Sequence, residues 1–310
     1  MKKNFLPIIL LLILLSTILY CKSDPKLDDE VQKSTENANQ LVYPKLSLNR
    51  KNLNVSVLLD LSDRIDPKKY PAPSMEFYLR DIGYLKSLAE NFEAHVMNKR
   101  VIKIDDKLQV FIDPEPSDKT LNDKLMALKI AFNKNNATKK SITTTSLKYE
   151  EISKLIYEAA INDNNYVGSD IWKFFKNKVD TYCIEEGYRN ILVVLTDGYI
   201  YHVNTKIKEK NRTTYLTPQD IRSFGLNRAG WVEKFESKDF GFKTVNADLS
   251  NIEVLVLGIN PNNKNPYEED VIRAYWEKWF KEMNIKNFEI KQAELPSHME
   301  KVIGDFILKE

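Results

Sequence analysis

The sequence predicts an α/β fold, a three-layer α/β/α domain with a mostly parallel central sheet over roughly residues 51–310. Three observations predict it. Continuous apolar runs of strand length recur at 54–60, 191–195 and 252–259, the pattern of strands buried on both faces. Amphipathic stretches at helical spacing lie between them, the alternation that gives a parallel sheet covered by helices. Two of the apolar runs end in side-chain oxygens, D-L-S-D-R at 60–64 and T-D-G at 196–198. In open α/β sheets, ligand sites gather beyond the carboxyl ends of the strands.

N-V-S-V-L-L-D (54–60) opens the sheet. After a proline-rich loop, residues 76–97 predict a helix with Phe77, Ile82, Leu85, Leu88, Phe92 and Val96 at helical spacing. K-L-Q-V-F-I-D-P (107–114) alternates like a strand and is stopped by Pro114. Residues 121–132 read as a helix, and so do 148–161, with Ile152, Leu155, Ile156 and Ala159 on one apolar face. Another helix starts at Ser169-Asp170 and continues I-W-K-F-F-K-N-K. Strands follow at 189–198 and 252–259, then a long helix at 268–283, a strand around F-E-I-K-Q-A and a last helix near 298–308. Residues 199–251 are long for a plain crossover and read as an insertion on the edge where the strand ends lie. Trp231 and Phe235 are expected to pack that insertion onto the sheet.

Composition bounds the function. The chain has 310 residues, 43% hydrophobic and 29% charged, enough to close a sizeable core. A net charge of +2, without a basic block, makes no case for nucleic acid. Met1-Lys2-Lys3 precede an apolar run that ends at Cys21, and residues 22–50 are a polar tether. A basic start and an apolar core of about 15 residues fit a secretory signal and fall short of a comfortable membrane span. The segment resembles a bacterial lipoprotein signal, which implies lipidation at Cys21, a membrane anchor, and a periplasmic or cell-surface location. Tyr20 departs from that pattern, which carries a small residue before the cysteine. The other reading is a retained signal-anchor that holds the same domain outside the same membrane. Cys183 is then left without a partner and reads as a buried, inert thiol.

Asp60 and Ser62 in D-L-S-D-R, Ser169 in Y-V-G-S-D-I-W-K-F-F (166–175) and Asp197 in T196-D197-G198 stand in order at helix starts and strand ends. The pattern resembles the von Willebrand factor A domain, a Rossmann-like fold. Its metal-ion-dependent adhesion site combines Asp-x-Ser-x-Ser, a middle-loop threonine and a Thr-Asp-Gly-type aspartate. The resemblance implies Asp60, Ser62, Ser169 and Asp197 as metal ligands, with Ser169 standing for the threonine. It implies Mg²⁺ as the ion, with Mn²⁺ or Ca²⁺ as alternatives, since hydroxyls and carboxylates are hard oxygen donors. It also implies a partner protein that completes the metal's shell with an acidic side chain.

Arg64 stands where the family has its second serine. A cation ~5 Å from a divalent ion would cost roughly 6–7 kcal/mol at an effective dielectric of ~20. Either the arginine extends into solvent, or it replaces the metal and pairs with Asp60 or Asp197 through its planar fork. Asp63, Thr196, Tyr199 and His202 flank these positions and complete the candidate binding set.

The expected function is non-catalytic binding of an envelope or extracellular protein. A metal-dependent hydrolase of the envelope, with His202 near the aspartates, is the alternative. A metal-free scaffold domain is the other. No G-x-S-x-G, G-x-x-x-x-G-K-[ST] or H-E-x-x-H motif argues for an enzyme. His95 and His298 are expected in surface or capping roles.

Overall fold

The computed structural model describes residues 50–309 apart from 164–167, 246 and 263. The expected signal, Cys21 and the tether up to residue 49 lie outside the described residues, as do Tyr166 and Val167 of the middle-loop motif. The chain runs through β1 (Leu53–Leu59), α1 (Phe77–Met97), β2 (Asp105–Phe111), α2 (Lys119–Ala127), β3 (Ile130–Asn133), α3 (Lys139–Thr143), α4 (Thr145–Asn162), α5 (Ile171–Asn177) and β4 (Arg189–Leu195). It continues through β5 (Lys208–Glu209), β6 (Arg212–Thr213), α6 (Pro218–Ser223), α7 (Trp231–Ser237), β7 (Gly241–Phe242), β8 (Ile252–Ile259), α8 (Glu268–Glu282), β9 (Asn287–Gln292) and α9 (Pro296–Leu308). Among the described residues no helix is long and apolar enough to cross a membrane.

The central sheet has the order β3-β2-β1-β4-β8-β9, parallel except for β3. The apolar runs are continuous because both faces are covered. Val55, Val57 and Leu59 of β1 join Ile191, Val193 and Leu195 of β4 under α1, α4 and α9. The alternate residues Leu58, Leu192, Val194, Val254 and Val256 meet α5 and α8 on the other face. Among the described residues, both cores are built from positions between 53 and 308. The domain forms one compact unit over 46–310. Cys183 is buried in the second core, and burial pushes its thiol up to about 12.

Three expectations need correction. The helix expected over 121–132 ends at Ala127, and Ile130–Asn133 instead adds the antiparallel edge strand β3. Phe132 is buried and Ala131 exposed there, a period of two that ends the helical pattern. Leu155 points to solvent, and α4 buries Tyr149, Ile156, Tyr157 and Ala160 instead. His95 is buried rather than on the surface, with Nε2 3.2 Å from Asp106 Oδ1 beneath the start of β1.

Between β4 and β8 the chain builds a small sheet in the order β5-β6-β7, with α6 and α7 beside it. Phe235 is buried and Trp231 packs partly against the same core. Phe242 of β7 lies among Tyr275, Trp276 and Trp279 of α8, with ring centroids 5.1, 6.0 and 5.2 Å away.

Candidate functional site: the carboxyl edge of the sheet

Parallel pairing of β1 with β4 brings Asp60 and Thr196 to the same edge. The Asp60 amide donates to Leu195 O at 2.9 Å, one step beyond the ladder. Thr196 Oγ1 donates to Asp60 Oδ2 at 2.7 Å and accepts from the Gly198 amide at 3.1 Å. Asp60 Oδ1 accepts from the Ser62 amide at 3.1 Å. Gly198 has φ +95°, and a Cβ there would lie 2.6 Å from Ile259 and 2.7 Å from Ile272, so only glycine fits. The Trp276 indole, donating to Gly198 O at 2.8 Å, fixes this turn from α8.

Ser169 does reach the edge, but its hydroxyl is engaged by backbone. It donates to Leu59 O and accepts from the Leu61 amide, both at 3.0 Å, and so ties the end of β1 to the start of α5. Asp170 caps α5 by accepting from the Lys173 amide at 3.0 Å, and also accepts from the Thr205 hydroxyl. Asp197 is half-buried, and its Oδ1 accepts from the Tyr199 amide at 3.0 Å. Tyr199 OH donates to buried Glu268 at 2.6 Å and accepts from the Asn262 amide at 3.1 Å, which closes a network of its own. His202 turns inward, with Nδ1 3.3 Å from Asp170 Oδ2. Asp63 is exposed and pairs with Lys69 at 2.8 Å.

Arg64 does not extend into solvent, and its hydrogen bond goes to Asp81 rather than to Asp60 or Asp197. It sits on a 3-10 turn at Asp63–Ile65, is only 4% exposed, and its Nη2 donates to Asp81 Oδ2 at 2.5 Å. Asp81 belongs to α1 and is 1% exposed; its Oδ2 also accepts from Tyr157 OH of α4 at 2.9 Å. The guanidinium also attracts Asp60 and Asp197 electrostatically.

One guanidinium therefore serves three carboxyls. Burial works against the charge of Arg64, yet Asp81, then Asp60, hold its pKa above the ordinary arginine value. Burial raises the pKa of Asp60 and of Asp81, with Arg64 opposing in each case. Asp197 is pushed up to about 7, first by burial and then by the neighbouring Asp60. The cluster is short of positive charge, and a proton on Asp197 supplies part of the deficit near neutral pH.

These side chains, as arranged, do not fit a divalent cation. The Ser169 hydroxyl is committed to backbone, both oxygens of Asp60 already accept hydrogen bonds, and a buried guanidinium stands in the third motif position. Among the described residues no three His, Cys, Asp or Glu side chains converge as metal ligands.

Asp81 and Tyr157 were not singled out from the sequence. Asp81 did leave a signal: it lines up with Leu85, Leu88 and Phe92 at i+4, i+7 and i+11, a charge in the middle of an apolar stripe.

The sheet is an open, mostly parallel α/β sheet, and the three motifs stand at the ends of β1 and β4 and at the start of α5. No family model matches the chain, and no curated protein matches it. Among solved structures it is similar to an aerotolerance-related membrane protein from Bacteroides fragilis NCTC 9343, which carries multiple mutations to serines. That match has 15% identity and a TM-score of 0.37 over 84% of this chain and 100% of that one. It is also similar to the pilus adhesin SpaC from Lactobacillus rhamnosus GG, at 10% identity and TM-score 0.39, covering 84% of this chain and 30% of that chain. The open conformation of SpaC matches at 11% identity and TM-score 0.38 over the same shares.

Proposed function

We propose that the domain is a non-catalytic binding module of the cell envelope, exported and held at the membrane through its N-terminal segment. It engages another protein through the loops at the carboxyl edge of the sheet. One observation carries this reading. Directly beyond Thr196-Asp197-Gly198, the strap at 200–207 exposes Tyr201 (47%), Val203 (59%) and Ile207 (45%) on the edge where α/β sheets bind.

The strap is held from behind. Ile200 and Leu216 exchange backbone hydrogen bonds at 3.1 and 2.7 Å, and buried His202 sits between the exposed Tyr201 and Val203. Lys206 Nζ lies 5.5 Å from the Tyr201 ring centroid and 5.1 Å from that of Tyr215. A pinned backbone that presents aromatic and branched side chains to water loses little entropy on docking. Apolar side chains grouped this way mark interaction surfaces.

The test is a photo-crosslinking amino acid placed at Tyr201 or at Val203 in the full chain in its host cells. A control carries it at Ile102, on the turn between α1 and β2 at the opposite end of the sheet. Discrete protein adducts from the two strap positions and none from Ile102 are expected. Turnover of phosphoester or ester substrates that Asp197→Asn abolishes, without strap adducts, would replace this reading with the hydrolase one.

A further inference from the structure

The geometry points to Arg64 as the resident cation of this carboxyl edge, held by Asp81, and to loops there whose folding and binding need no divalent metal. This rests on the edge being the binding surface, but it is tested without a partner.

Three features lead there. First, the short turn that follows Ser62 buries the next motif side chain, so Arg64 is withdrawn from solvent. Second, its hydrogen-bond partner comes from outside the motif. Asp81 is fixed within α1, shares the bond with Tyr157 of α4, and is itself buried. A metal that drove Arg64 out would leave Asp81 buried without its counter-ion, and burying an unpaired charge is strongly unfavourable. Third, two of the edge hydroxyls are committed to the protein itself. Ser169 bridges Leu59 and Leu61, and Thr196 closes onto Asp60, so the strand ends are already tied together by protein groups.

In a metal-dependent edge the ion supplies both the tie and the positive charge. Here the hydroxyls supply the tie, and a guanidinium attracted to Asp60 and Asp197 supplies the charge. An acidic side chain of a partner then has no metal to complete. Recognition falls to the strap and to the half-buried Asp197, which favours a partner that brings apolar or basic groups.

The experiment is thermal unfolding of residues 46–310, the compact unit that holds both cores. It is run in EDTA and then in millimolar Mg²⁺, Mn²⁺ or Ca²⁺. The wild type is expected to melt at the same temperature in all four conditions. Arg64→Ser, which restores the second motif hydroxyl and removes the cation, is expected to melt lower in EDTA and to recover with at least one metal. If that variant does not fold, the wild-type comparison still decides. A rise of roughly 5–10 °C in the wild type, the size a ligand at 100 times its dissociation constant produces, would overturn the proposal if Asp60→Ala abolishes it. Either result leaves the reading of the strap to the crosslinks.

Discussion

Arg64 and Asp81 form a buried ion pair, and such pairs are asymmetric: breaking one costs more than never having had it. Asp81→Ala, which strands the guanidinium, should therefore destabilise the domain by about 3–5 kcal/mol in denaturant unfolding. The double variant Arg64→Met/Asp81→Leu should lose much less. If the two variants lose the same amount, the pair does not act as a unit. Asp197 gives a pH signature. Its carboxyl titrates near 3.8 when unperturbed and near 7 in the folded edge, so between these values the folded state holds more protons than the unfolded one. This contribution to stability is present below about pH 4 and is lost as the pH rises through 7, on the order of a few kcal/mol. Asp197→Asn should raise the melting temperature at pH 8 and change it little at pH 4. The same gain at both values would mean that Asp197 is ionised throughout.

Among the elements, α1 carries the most constraints. It lies against α4 and α9, holds Asp81 under the site, and packs so tightly on α9 that a Cβ at Gly83 would meet Pro296 Cγ at 2.5 Å. In an isolated helix Gly→Ala gains about 1 kcal/mol. Here a rigid proline ring blocks the methyl, and overpacking of this kind costs about 1–3 kcal/mol. Gly83→Ala should therefore be destabilising, and a stabilised variant would show that α9 moves aside at no cost. At α5, Asp170 serves both as N-cap and as the acceptor for Thr205 of the strap. Asp170→Ala should cost about 1 kcal/mol for the cap alone. It should also loosen residues 202–207, which hydrogen exchange of their amides would detect.

At the scale of the whole domain, the cores and the proposed binding strap lie in different places. The two cores fill both sides of the sheet, whereas Tyr201, Val203 and Ile207 stand outside them. Replacing Tyr201 with alanine should change stability by no more than about 0.5 kcal/mol, as surface substitutions do. A bound partner should nevertheless dissociate markedly faster, because exposed aromatic anchors carry a large share of interface energy. A large fall in melting temperature with Tyr201→Ala would instead place that ring in the structural core.

The sequence by itself determined the layered α/β fold and the succession of its strong strands along the chain. Stretches such as Val57-Leu58-Leu59 and Val254-Leu255-Val256-Leu257 are apolar at every step, the pattern of strands covered on both faces. It also determined that Asp60 and Asp197 come to one edge, since parallel strands put their carboxyl ends together, while Ser169 was assigned there by the motif resemblance. Tertiary structure alone decided the rest. Edge strand β3 exists because β2 offers it backbone partners, although four residues carry too little periodicity to announce it. The direction of Arg64 was set by a carboxylate 17 residues along the chain, on a helix that packs beneath the site. An ion pair between distant residues has no local pattern. It is chosen when folding brings the two charges out of water together, and a buried guanidinium takes whichever carboxylate lies within its reach.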